Sequence, residues 1–153
     1  MNESRAKQTA RWLLRLGMIL FLVALLTGLL TPGLKNPRMA SSSHVVGLIG
    51  GTFLVALGLI LPKLRLSWAL TVVMFWLAVY GVYIGWATRL AAAAWGAGGS
   101  MMPIAGMGMR GTPLQEGLVM FGAMSLIPVL LAMSVIILWG LRGTDAPPGQ
   151  GAS

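Results

Sequence analysis

At 153 residues, 57% hydrophobic and only 9% charged, with a mean hydropathy of +0.84, the chain is too apolar for a soluble domain of its size. The net charge of +8 does not point to nucleic acid, because the 11 Lys and Arg residues sit outside or at the ends of apolar runs and form no continuous face; they suit lipid headgroups better. With no cysteine, disulfides, thiolate metal sites and cysteine nucleophiles are excluded.

Four apolar runs, 12–30, 45–61, 66–94 and 117–141, each predict a helix of about 26 Å or more, close to the ~30 Å hydrocarbon thickness of a bilayer. The expected fold is all-α and integral to the membrane: one four-helix domain over 1–153, with helices at about 9–31, 44–61, 66–94 and 114–142 and a polar, Gly/Pro-rich disordered tail at 143–153. Arg5, Lys7, Arg11 and Arg15 resemble the basic flank of a signal peptide, but no small-x-small cleavage site follows, so the first run reads as a retained helix. Arg15 can snorkel to the interface, and Pro128 predicts a kink in the last helix. Counting basic residues by side gives Arg5, Lys7, Arg11, Arg15, Lys63, Arg65 and Arg142 against Lys35, Arg38, Arg89 and Arg110. Both termini are therefore expected on the cytoplasmic side.

The second helix carries the only histidine, His44, just after a serine run. His44, Gly47, Gly51, Val55 and Gly58 fall on one narrow stripe at ~100° per residue. Gly47 and Gly51 form a G-x-x-x-G pair, which lets a second helix or a flat ligand approach the backbone. Two readings follow. One is helix packing with an interfacial histidine; the other makes His44 an axial metal ligand, with Gly47 and Gly51 giving a macrocycle room. In the third helix Trp76, Tyr80 and Tyr83 share a face, which reads either as packing or as part of a site. Counted from the turn between helices 2 and 3, His44 and Tyr83 are each seventeen residues away and are expected to meet at about 26 Å.

The segments "NPRM", "SSH", "GTFLVALGLILPKLRLS", "FWLAVYGVY", "WGAGGSMMPIAG" and "GTPLQEGLV", in this order over about 36–119, resemble the hydroxylaminobenzene mutase family, which is related to styrene oxide isomerase. The resemblance implies a membrane isomerase that turns an aryl hydroxylamine into an aminophenol, or, on the related pattern, an aryl epoxide into an aldehyde. It also implies a homotrimer holding haem b between subunits, with His44 as axial ligand to iron acting as a Lewis acid, and with Tyr83 hydrogen-bonding at the substrate oxygen. Glu116 matches the family's Gln-Glu pair, with no role attached. The chain departs from the mutase pattern at three places: Val46, Gly50 and Gly85 stand where that pattern has a glutamate and two asparagines. These losses imply a remodelled pocket, another substrate or no activity.

The competing classes are a copper-handling protein, on the thioethers of Met101, Met102, Met107 and Met109, and a non-catalytic assembly protein built on the glycine stripe. A small multidrug exporter fits the helix count, but the first helix lacks the acidic residue needed to couple protons.

Overall fold

The computed structural model describes residues 3–142. Among these residues every long element is helical: α1 (Glu3–Leu30), α2 (Pro37–Ile60), α3 (Trp68–Trp95), the single turn α4 (Pro103–Gly106) and α5 (Pro113–Gly140). Four of them, all but α4, are long and apolar enough to cross a membrane, the pattern of a multi-pass membrane protein. The tail at 143–153 lies outside the described residues.

The helix ends explain where the expected boundaries move. Asn36 caps α2 by accepting from the Met39 N–H, and Pro37 follows at the first helical position, so α2 starts seven residues before His44. The serine run is helical. Ser43 is buried and donates to the Trp86 carbonyl of α3 (3.0 Å), which satisfies its hydroxyl. His44 therefore lies two turns inside α2 rather than at its head. Between α2 and α3, Leu61–Lys63 forms a 3-10 turn, and α3 begins only after the Ser67 cap. Gly96, at φ 70°, ends α3 in the left-handed conformation that glycine adopts without penalty. α5 opens on a capping box between Thr112 and Gln115 and runs without a break through Pro128.

α1 packs along α2, while α3 lies between α2 and α5. The α1/α2 seam is made by small residues. A Cβ on Gly17 would stand 2.7 Å from the Gly51 carbonyl oxygen, and one on Gly51 would stand 2.8 Å from the Phe21 nitrogen. The two backbones thus approach more closely than any larger residue permits. Leu13, Leu20, Leu54, Leu57, Leu61 and Met74 fill the core on either side of this seam.

Two polar side chains hold the 96–112 connection over one end of the bundle. Asn36 is fully buried and uses its whole capacity: its N–H donates to Ala93 O, its amide donates to Ala105 O (2.9 Å) and Gly106 O (3.3 Å), and its carbonyl caps α2. Glu116 accepts from the N–H groups of Gly98 (2.9 Å), Gly111 (2.9 Å) and Ser100 (3.3 Å), which ties both ends of the connection to the first turn of α5. This carboxylate, with no role in the sequence reading, is a loop anchor. At the opposite end Arg5 lies over Trp68 (5.6 Å), Arg15 over Trp12 (5.6 Å) and Arg142 over Trp139 (4.5 Å). These pairs form an amphipathic belt suited to a membrane interface.

The seam makes a paired prediction. Gly51→Ala pushes a methyl into backbone that cannot yield and should lower stability by about 1–3 kcal/mol. Gly117→Ala has no atom within 4 Å of the new methyl and should be neutral or stabilising by up to ~1 kcal/mol. Denaturant unfolding of the two variants in the same detergent checks this; equal effects contradict it.

Candidate functional site

The imidazole of His44 is placed by α1. Its Nδ1 lies 2.7 Å from the Ala24 carbonyl oxygen, which can only accept, so Nδ1 carries the proton. In the neutral form of such a ring the lone pair lies on Nε2. The seat exists because residue 28 is glycine: a Cβ there would stand 2.7 Å from Nδ1 and 2.9 Å from Cε1. The half-buried ring borders an open hollow of about 530 Å³, lined with Leu25, Gly28, Leu29, Pro32 and Ser41. Deeper on the same side, Thr27, Ser43 and Trp86 link α1, α2 and α3: the Trp86 indole donates to Thr27 Oγ1 (3.3 Å), which donates to Val23 O (2.9 Å).

Gly47 and Gly51 do not border this hollow. A Cβ on Gly47 would meet Ala24 Cβ at 2.6 Å and the Trp86 ring at 2.7 Å, and Gly51 meets Gly17 and Phe21. Of the two occupants that the stripe allowed, the protomer places a helix there. The cofactor-binding reading of Gly47 and Gly51 gives way to packing, since α1 fills the space a macrocycle needs.

The structure also separates Tyr83 from His44. The Tyr83 hydroxyl donates to Leu16 O at 2.9 Å, whereas His44 bonds at Ala24 O. These acceptors are eight residues apart on α1, roughly 12 Å along its axis. The expected meeting fails because the turn at 61–67 delays α3, so Trp86 rather than Tyr83 reaches the level of Ser43. Tyr80 turns the other way and donates to Ser125 Oγ of α5 (3.0 Å). The loop methionines do not act as a group either. Met102 packs on the cluster of Met39, Ala92 and Val119, the Met109 sulfur lies near Gly96, and Met107 is exposed.

On the far side of α2 a cleft of about 410 Å³ opens between α2 and α5, floored by α3. Val46, Gly50, Phe53, Gly81, Gly85 and Leu126 line it, together with one cation, Arg89. Val46, Gly50 and Gly85 thus line the same cleft, the first two from α2 and the third from α3. Sequence reasoning counted Arg89 only for its charge. The available signal was its place inside an apolar run, four residues after Gly85.

An imidazole whose Nδ1 is committed to a backbone carbonyl, set among four helices long and apolar enough to cross a membrane, places the chain among multi-pass membrane proteins. The chain belongs to the styrene oxide isomerase family, whose profile matches residues 9–142, and it is by that membership an isomerase. Two curated relatives from Ectopseudomonas oleovorans are similar to it. Hydroxylaminobenzene mutase HabB is 49% identical over 144 residues, covering 90% of this chain and 88% of the relative. Hydroxylaminobenzene mutase HabA is 45% identical over 125 residues, covering 82% and 93%. No solved structure matches the chain.

The Tyr83 geometry sets a test. Tyr83→Phe removes one α3-to-α1 hydrogen bond and should lower stability by about 1 kcal/mol, read by thermal unfolding in detergent. A loss of turnover far larger than that change accounts for would return the phenol to the reaction itself.

Proposed function

We propose that the chain is a hydroxylaminobenzene mutase-type isomerase, converting an aryl hydroxylamine to an aminophenol in the membrane, with haem b held by His44 in a homotrimer. We further propose that it sits in a bacterial inner membrane with both termini cytoplasmic, on the strength of the basic belt of Arg5, Arg15, Lys63, Arg65 and Arg142 at one end. The names of the relatives support the substrate class, and the seat of His44 supports the ligand role.

The residues fit an axial ligand. The N–H on Nδ1 donates to Ala24 O, an arrangement that fixes the tautomer, orients the ring and raises the basicity of the other nitrogen. The walls beside His44 are mainly aliphatic and glycine, which suits an apolar macrocycle. The hollow is open on one side, and in the proposed trimer a neighbouring protomer would supply the second wall. Bound there, ferric haem would supply a Lewis acid for the substrate oxygen.

The reaction itself is balanced without any outside electron. An N–O bond breaks, a C–O bond forms and one ring hydrogen relocates to nitrogen, so substrate and product are isomers. The chain's part is to exclude water and hold the aromatic ring. Leu25, Leu29 and Pro32 beside His44 provide the apolar surroundings, in which the departing oxygen stays near the ring instead of exchanging with solvent.

The family profile favours a second substrate, an aryl epoxide opened to an aldehyde. Incubating membranes with hydroxylaminobenzene and, separately, with styrene oxide, then identifying the products, decides between them. The expected result is 2-aminophenol from the first, with a Soret band in the purified protein that disappears in His44→Ala. Gly28→Ala, whose methyl overlaps the imidazole, should weaken that band at least tenfold. A colourless, fully assembled wild type contradicts the haem reading, and absence of both products contradicts the isomerase substrates.

A further inference from the structure

Arg89 is a cation in the wrong place for a merely interfacial residue. It lies six residues before the end of α3, about 9 Å below that end. A long basic side chain at this depth normally extends toward the headgroups. Here Nη1 donates to Gly85 O at 2.9 Å, one turn deeper, so the guanidinium folds inward over the cleft. Among the described residues no carboxylate answers it. The only one at this end of the bundle is Glu116, whose oxygens take the N–H groups of Gly98, Ser100 and Gly111.

The cleft around it has the shape and chemistry of a small-molecule site. Its volume of about 410 Å³ falls in the ~300–1,000 Å³ range of such sites. Gly81 and Gly85 leave its floor flat, and Val46, Phe53, Leu126 and Leu130 make its walls apolar. Val46, Gly50 and Gly85 carry no hydrogen-bonding side chain, and the one hydroxyl in the lining, Ser134, donates to Leu130 O. The strongest recognition group is then the charged fork of donors on Arg89, which matches a carboxylate bidentately.

We infer that this cleft binds an aromatic ring bearing a carboxylate, and that Arg89 is the residue that selects it. The inference rests on the isomerase reading in its homotrimer form, in which this cleft would face the His44 hollow of a neighbouring protomer, and narrows it: the substrate class becomes an aryl hydroxylamine with an acidic ring substituent. The ring lies among the apolar side chains of the cleft while its carboxylate meets the guanidinium.

The test uses unreactive ligands, so that binding is read without turnover. Equilibrium binding of 4-aminobenzoate and of aniline is measured on the intact protein in nanodiscs of phosphatidylcholine. The expected result is at least a tenfold preference for 4-aminobenzoate in the wild type, abolished in Arg89→Gln and partly restored in Arg89→Lys. Gly85→Leu serves as a second variant that keeps Arg89. A Cβ at Gly85 has ordinary contacts, 3.5 Å to Leu126 Cδ1 and 3.9 Å to Arg89 Nη1, so the leucine should fold, fill the cleft and weaken both ligands at least tenfold. Equal affinity for the two ligands in the wild type, or a preference that survives Arg89→Gln, overturns the inference. So does loss of the preference when phosphatidylglycerol replaces phosphatidylcholine, which would assign the guanidinium to an anionic lipid headgroup. If membranes make 2-aminophenol while these binding results fail, the isomerase reading stands and only the role of Arg89 falls.

Discussion

The contact on which the site depends is the hydrogen bond from His44 Nδ1 to the Ala24 carbonyl. It joins two helices, and it forms only because Gly28 lets the imidazole lie on the α1 backbone and because Gly17 and Gly51 bring α1 and α2 together below it. A carbonyl already engaged in a helix still has a second lone pair to offer. That bond holds the ring in one orientation with a proton on Nδ1. The glycine seam and the histidine are therefore parts of one device: the seam sets a backbone separation, and the separation sets the chemistry of Nε2.

Much of the bundle was legible in the sequence. Four apolar runs, interrupted only by Arg15 and Arg89, point to membrane-length helices, because a backbone in lipid must satisfy its own hydrogen bonds. The stripe of His44, Gly47, Gly51 and Gly58 was also legible as one face. Its occupant was not, since spacing along one helix does not say whether a partner helix or a ligand fills the groove. The register between helices was misjudged for a related reason. Counting outward from Leu61 and Leu66 set those two residues at one level, yet α2 ends at Ile60 and α3 enters only after the Ser67 cap. Part of the gap follows from that shift; Tyr83 meets α1 at Leu16, about two helical turns from the Ala24 carbonyl where His44 bonds.

The polar anchors of the outer connection were hidden for a different reason. Asn36 and Glu116 act through backbone groups of residues as distant as Ala105 and Gly98, and backbone partners leave no side-chain pattern in a sequence. Arg89 was hidden by its charge, which placed it with the interfacial basics; only the direction of its side chain distinguishes it. His44 and Arg89 lie on opposite faces of the α2 layer, one toward α1 and the other over the α3 floor. A bundle in which a ligand nitrogen faces one way and a ring-sized cleft the other is suited to sites completed between protomers, as the proposed trimer requires.

Because His44 is the sole histidine, the state of its ring can be measured without assignment. The direct test is nitrogen NMR of the histidine-labelled, haem-free protein in lipid. The account requires one ring state with a proton on Nδ1, hydrogen-bonded and slow to exchange. A ring protonated on Nε2 alone, or one averaging between tautomers, would contradict it.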